Sequence, residues 1–415
     1  MAANRATRPE NEPRGVITPP EPDLTPAEMI RRAAAMRPIL RQRQAACEAN
    51  GAILPETNDE FIRAGFYRIV QPRRFGGYEF DPVTYFKVMM EVARGCPSSG
   101  WVLALVAGHP IMFAVFPDEA QFDAYGMNGE FRAPAVGSPA HAEPAPGGWR
   151  VSGAWDYASG CDIATHLIGG AERTGPNGHP IHMHILVERG QFTIIDNWRM
   201  VGMQGSGSRR AVVDNIFVPA HRAVDWTIWM DNPPIDMANR LLKNPVYHGR
   251  KPTFFIAEAV AVAVGIARGA LDLYEEVLTK PPRAGFPGAT RMAVAEYQEY
   301  WGLARASIDT AQNALLQVGS DYTEHCRAWV EDGVPFTDAA DRAMILVLQH
   351  CVKLAWEATD LLFSTAGTSS GRRDSALARH FRDLAVLRTH GTMRYMRTAP
   401  NLARLQFGLA PNSPI

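Results

Sequence analysis

The chain has 415 residues, 46% hydrophobic and 20% charged, which is enough apolar material for a large core and, by length, for two or three structural units. A formal net charge of -1 and a pI near 6.9 give no electrostatic footprint for nucleic acid or an anionic membrane surface. Five scattered cysteines, odd in number and without a CxxC pair, predict reduced thiols in the cytoplasm rather than a disulfide framework or structural zinc.

In chain order, residues 1–22 carry charges and prolines but no apolar stretch, and they read as a disordered arm rather than a signal peptide or an anchor. Residues 23–133 read as a helical domain. Thr25 stands as N-cap with Pro26 at the first helical position and Gly51 at the end, and "DPVTYFKVMMEVARG" is opened by Asp81 and Pro82 and closed by Gly95. "PSSGWVLALVAGH" is apolar almost all round and therefore central. In it Trp101, Leu105 and Gly108 share a face, and His109 precedes Pro110, which pushes it out of the α region. Two readings of His109 stand: a cavity-facing group at a helix break, or a core histidine bonded to a freed carbonyl.

Near residue 134 the apolar period changes from 3.6 to 2, and 134–248 reads as a compact antiparallel β domain of short runs broken by Gly, Pro and Asn. Within it "WDYASG" predicts a strand whose Trp155, Tyr157 and Ser159 share one face. "HPIHMH" sets His182 and His184 on one side of a strand, which describes a solvated face better than a metal site. "QGSGSRR", Gln204 to Arg210, reads equally as an anion-binding nest or as a hairpin turn.

Residues 249–397 return to long amphipathic stretches of antiparallel-bundle type, with 398–415 as a tail. The most apolar run, Phe254 to Ala267, carries Glu258 and falls short of a membrane span of roughly 20 residues, so it predicts a buried core helix. "STAGTSSG", Ser364 to Gly371, is a loop rich in hydroxyls. "RHFRDLAVLRTHGT" reads as helix and puts His390 one turn after Val386 and Leu387, with Gly391 leaving room for something bulky close to the backbone. The sequence has neither a GxGxxG nor a GxxxxGK[ST], so neither a Rossmann dinucleotide site nor a P-loop is supported.

Helical domain, small β domain and helical bundle, with "GSGS…VVDNIFVPAHR" closing the middle and "RHFRD" near the end, together resemble the acyl-CoA dehydrogenase fold over about residues 25 to 400. Dehydrogenases of that superfamily carry a glutamate base shortly after the "RD" pair or on an earlier bundle helix. Here the first place reads "THGT", and for the second the candidates are Glu275 or Glu276, which nothing marks out from a solvated helix face. "CPSSGW", His109, "ASGC", "GSGS…IFVPAHR" and "RD" followed by His390 resemble instead the flavin-dependent monooxygenase branch, the oxygenase components of two-component aromatic hydroxylases.

That resemblance implies reduced FMN or FAD delivered by a separate NAD(P)H-dependent reductase, oxygen as co-substrate, a C4a-hydroperoxyflavin, and hydroxylation of a phenolic or heteroaromatic small molecule by a homotetramer. It implies that Trp101, Tyr157, Ala158 and Ser159 lie along the flavin with the Ser159 hydroxyl near N5. Thr368 and Ser369 would hold the cofactor from a neighbouring subunit. Arg283, or Lys280, stands where relatives have an arginine near the flavin, and Gly391 makes room beside it. His109 and His390 would flank the substrate together with Phe113, and His390 would act as base or hydrogen-bond donor. A dehydrogenase or oxidase with a displaced base is the second reading, and a non-catalytic protein of the same fold the third.

Overall fold

The fold comes from a computed structural model that describes residues 16–126, 128–230, 232, 240–280 and 290–413. Residues 1–15 of the expected arm lie outside the described residues. The rest of that arm is pinned, not free: the Ile17 N–H donates to Arg74 O at 2.9 Å, and Ile17 bridges to Phe75.

The first domain contains α1 (Pro26–Asn50), α2 (Pro55–Ala64), α3 (Pro82–Gly95), α4 (Pro97–Gly108), α5 (Pro110–Phe113) and α6 (Asp118–Tyr125). Thr25 caps α1 by accepting the Glu28 N–H, and Asp81 caps α3 by accepting that of Thr84, so the predicted starts are held by the expected side chains. His109 stands at the junction of α4 and α5, the helix end or kink expected ahead of Pro110, but it keeps helical angles (φ -67, ψ -11) instead of leaving the α region.

Seven strands form one sheet: β1 (Ala135–Ala145), β2 (Gly148–Ala158), β3 (His166–Thr174), β4 (Pro180–Glu188), β5 (Thr193–Ile195), β6 (Arg209–Pro219) and β7 (Ala223–Asp225), in the order β5-β6-β2-β1-β3-β4-β7. The unit is not purely antiparallel, because β1 and β3 pair in parallel with a register shift between Val136 and Pro139. One face buries Trp155, Leu167, Ile185 and Val187 in a core of its own, while Ile168 and Leu186 point into the helical core. His184 is not solvated as the strand pattern predicted. Its ring lies 3.4 Å from that of Trp229, which covers it.

The bundle consists of α7 (Pro252–Leu278), α8 (Ala295–Asp332), α9 (Asp338–Thr365), α10 (Ala376–Leu387) and α11 (Tyr395–Gln406), so helix extends past the expected end at 397. α7 is long and apolar enough to cross a membrane, yet nearly all of it is buried among the other helices. Close packing explains its glycines. A Cβ at Gly265 would stand 2.5 Å from Met90 O, and one at Gly269 would stand 2.5 Å from the His380 ring, so side chains there would wedge the helices apart.

Candidate active site

The β domain docks on the bundle through residues 201–208. Met203 has a left-handed backbone (φ 55); its N–H donates to Asp383 Oδ1 at 2.5 Å, and its carbonyl accepts the Trp198 Nε1–H at 2.9 Å. Arg382 donates from Nε to Val201 O at 3.0 Å, while Arg379 and Arg382 both bond Glu48 of α1. The "RHFRD" motif is therefore the clamp that joins three elements, with Asp383 at its centre. Burial pushes the Asp383 carboxyl up to about 7.

From Met203 a line of hydroxyls leads to α4. Ser206 donates to Met203 O at 2.8 Å, Ser206 and Ser208 are 2.8 Å apart, Ser208 and Ser159 are 2.6 Å apart, and the Trp101 Nε1–H donates to Ser159 Oγ at 3.0 Å. All five residues are buried. "QGSGSRR" is thus neither an open nest nor a tight hairpin turn. It ends the long β5–β6 connection as a single 3-10 turn with its hydroxyls turned inward. Its arginines are committed to ion pairs, Arg209 with Asp162 and Arg210 with Asp156.

Trp155, Tyr157 and Ser159 do not share a face. Tyr157 takes φ 64, the β2–β6 register shifts between Trp155 and Ala158, and the Ser159 N–H folds back to Tyr157 O at 2.8 Å. The irregularity turns alternate residues apart. Trp155 enters the β-domain core and donates to Gly170 O, Tyr157 is 69% exposed beside Trp198, Ala158 is buried, and Ser159 reaches Trp101.

His390 arrives at the same tryptophan from the bundle. The predicted helix stops at Leu387, so His390 is presented from an extended residue (φ -54, ψ 139) ahead of a 3-10 turn. Its ring meets that of Trp101 edge-on at 5.9 Å, and its Nδ1 lies 2.8 Å from Thr392 Oγ1. The residue as a whole is exposed, while the protein around the ring excludes enough water to lower its pKa below the ordinary histidine value. A Cβ at Gly391 would meet nothing within 4 Å, so the chain itself does not crowd that position.

His109 has partners inside the core. Its Nδ1 lies 2.6 Å from Ala133 O and its Nε2 lies 3.4 Å from Glu258 Oε1, with both side chains 2% exposed. A carbonyl accepts only, so Nδ1 carries the proton there and Nε2 faces the carboxyl group. Neither ring nitrogen is left over for a guest. Burial pushes the Glu258 carboxyl up to about 7, with His109 opposing the shift. Phe113 is likewise fully buried, stacked on Phe131 at 4.8 Å within an aromatic cluster that includes Phe116 and Tyr125. At 1.5 Å per residue, His109 stands about 12 Å along the helix axis from Trp101.

Thr368 and Ser369 are exposed on a 3-10 turn at the end of α9. Arg283 lies outside the described residues, and Lys280 is exposed. The arginine that the structure does bring to this turn is one that sequence reasoning missed. Arg291 is 9% exposed, donates from Nη1 to Ala366 O at 2.7 Å, lies over the Tyr297 ring, and stands within 3.6 Å of a Cβ built on Gly367. No local motif marks it, because it stands alone ahead of α8 among small and apolar residues. Neither stand-in base is near Trp101 in role: Glu275 accepts the Trp301 Nε1–H, and Glu276 pairs with Arg41. They border a groove of about 700 Å³, together with Arg37, Arg94 and Asp272. No group of three potential metal ligands occurs among the described residues.

Comparison with known proteins identifies the family. Residues 26–125 match the acyl-CoA dehydrogenase N-terminal domain and residues 257–395 the acyl-CoA dehydrogenase C-terminal domain. The chain is 29% identical over 394 residues to the flavin-dependent monooxygenase oxygenase subunit HsaA of Rhodococcus jostii, covering 92% of this chain and 98% of that protein. It is 24% identical over 403 residues to the oxygenase component of p-hydroxyphenylacetate 3-hydroxylase from Acinetobacter baumannii, covering 94% and 92%. The crystal structure of 3-HSA hydroxylase from Rhodococcus sp. RHA1 superimposes with a TM-score of 0.84 at 28% identity, over 94% of this chain and 98% of that one. By its matched domains and by relatives that span nearly its whole length, the chain belongs to the acyl-CoA dehydrogenase superfamily, in the flavin-dependent monooxygenase branch.

Proposed function

We propose that the chain is the oxygenase component of a two-component hydroxylase that inserts one atom of oxygen into an electron-rich aromatic ring, a phenol or a heteroaromatic compound. The observation that carries this reading is the convergence of Trp101, Ser159 and His390, with a histidine following the "RD" pair where the resemblance to dehydrogenases would call for a carboxylate.

The donor set fits a reduced flavin, FMN or FAD. Trp101 offers an indole face, Ser159 a buried hydroxyl, and Arg291 with the Thr368–Gly371 turn offers cation and hydroxyls suited to the cofactor's phosphate arm from a neighbouring subunit of a homotetramer. Bound there, reduced flavin would supply the oxygen activation, which the side chains themselves cannot. Ser159 would hold the flavin edge, and the buried apolar faces of α4 and α7 would exclude water. His390, whose lowered pKa favours the neutral ring, would take the proton from the substrate hydroxyl. His109 would fix the pocket wall by tying the α4–α5 kink to Ala133, just ahead of β1.

The test is anaerobic loading with reduced FMN or FAD followed by oxygen in the presence of a panel of phenols and indoles. Hydroxylated product formed in proportion to oxygen consumed supports the reading. Acyl-CoA-dependent bleaching of oxidised flavin, with no hydroxylation, would replace it by a dehydrogenase.

A further inference from the structure

The line of hydroxyls beside Trp101 has a direction. A carbonyl oxygen carries no hydrogen, so the contact from Ser206 to Met203 O uses the Ser206 proton. Ser206 therefore accepts from Ser208, and Ser208, its proton spent, accepts from Ser159. Ser159 accepts from the Trp101 indole, which only donates. Every hydrogen is assigned. Ser159 has committed its proton to Ser208, and what it has left is one acceptor lone pair.

Both ends of the line are fixed. The Met203 carbonyl also receives Trp198 Nε1–H and the Ser206 N–H, and the Met203 N–H on the other side of the residue is held by Asp383, so the 203–204 peptide cannot turn over to offer a donor. At the other end the indole N–H has no acceptor mode. Running the line backwards would set hydrogen against hydrogen at Trp101 and lone pair against lone pair at Met203. In a dry site each such mismatch leaves a buried polar group unpaired.

We propose that Ser206 and Ser208 are positioning residues that hold Ser159 as a pure acceptor, so that the site takes a flavin whose N5 bears a hydrogen and disfavours the oxidised form, whose N5 offers only a lone pair. The inference rests on the proposed function, in which Ser159 holds the flavin edge, and takes that edge to be N5, as the family resemblance implies. It gives the two serines of "GSGS" a task that their sequence did not reveal. An oxygenase that draws reduced flavin from solution needs such a filter, since oxidised flavin accumulates wherever free reduced flavin meets oxygen.

The experiment is a pair of binding titrations, oxidised flavin in air and reduced flavin under anaerobic conditions, using FMN and FAD in turn, together with the midpoint potential of the bound flavin. Wild-type protein is expected to hold reduced flavin more tightly. In Ser208→Ala the Ser159 hydrogen is free to turn to N5, so the preference for reduced flavin falls about tenfold, and the bound potential drops toward that of free flavin. Ser206→Ala moves both readouts the same way, and Ser208→Thr, which keeps the hydroxyl, restores them. If Ser208→Ala and Ser206→Ala keep the wild-type preference while Ser159→Ala changes it, the relay is refuted and the flavin placement stands. If Ser159→Ala also binds both forms as wild type does, the placement itself is wrong, and the inference falls with it.

Discussion

Asp383 and Met203, 180 residues apart, meet through a single hydrogen bond from the Met203 N–H to a buried carboxyl oxygen. That bond seats the β-domain loop on α10 and fixes the carbonyl at which the serine line ends. It also makes the fold sensitive to pH. Burial raises the Asp383 pKa from 3.8 to about 7, so the folded chain holds a proton that the unfolded chain releases. The stabilisation is complete below the unfolded value and is lost as pH rises through the folded one.

Asp383→Asn keeps the acceptor and removes the titration. Wild type is expected to lose up to about 4 kcal/mol from this group between about pH 4 and pH 8, and the variant to lose none of it. Urea titrations of both proteins across that range check this, and parallel curves would show that Asp383 does not titrate.

Gly202→Ala addresses the same seam from the other side. A Cβ there would stand 2.2 Å from the Arg382 carbonyl, so the loop must lift off α10. A cost of about 1–3 kcal/mol is expected, with weaker flavin binding, since Ser206 and Ser208 travel with the loop. Thermal unfolding and flavin titration read the two effects; a variant with wild-type affinity would uncouple the loop from the site.

Glu258→Gln retains a donor toward His109 Nε2, whereas Glu258→Leu leaves that nitrogen unpaired in the core. The leucine variant is expected to lose about 1–3 kcal/mol relative to the glutamine variant. Because the Glu258 pKa is raised from 4.5 to about 7, wild type also loses stability as pH rises across that interval, and the glutamine variant does not. Denaturation at the two ends of the interval separates the pH effect from the packing effect.

His390→Asn should leave stability within about 0.5 kcal/mol, because the residue is exposed beyond the end of α10. Hydroxylation should fall about a hundredfold, with peroxide release largely maintained, as the loss of a positioned base predicts. Measuring product and peroxide per oxygen consumed decides it; unchanged coupling would remove His390 from the chemistry.

Much of this was legible in the sequence because it depends on local signals. Caps at Thr25 and Asp81, the change of apolar period near 134 and the uninterrupted apolar run of α7 each announce themselves within a dozen residues. What stayed hidden depends on partners far along the chain. The parallel pairing of β1 with β3 crosses an intervening strand, the positive φ at Tyr157 defeats the alternation rule, and Glu258 becomes the partner of His109 only when α7 packs on α4. Arg291 is the clearest case. Nothing beside it in sequence marks it, and only the return of α9 brings Gly367 to its guanidinium.

The seating of residues 201–208 on α10 has a consequence for how the protein is made. Trp101, Ser159, Ser206 and Ser208 leave the ribosome well before Asp383 and His390, so a nascent chain carries the indole and the serine line while their clamp is still unsynthesised. Until α10 docks, Met203 has no reason to hold its left-handed turn, and the hydroxyls have no fixed order. The order of the hydroxyls is therefore set late, by the last helices of the bundle to be made.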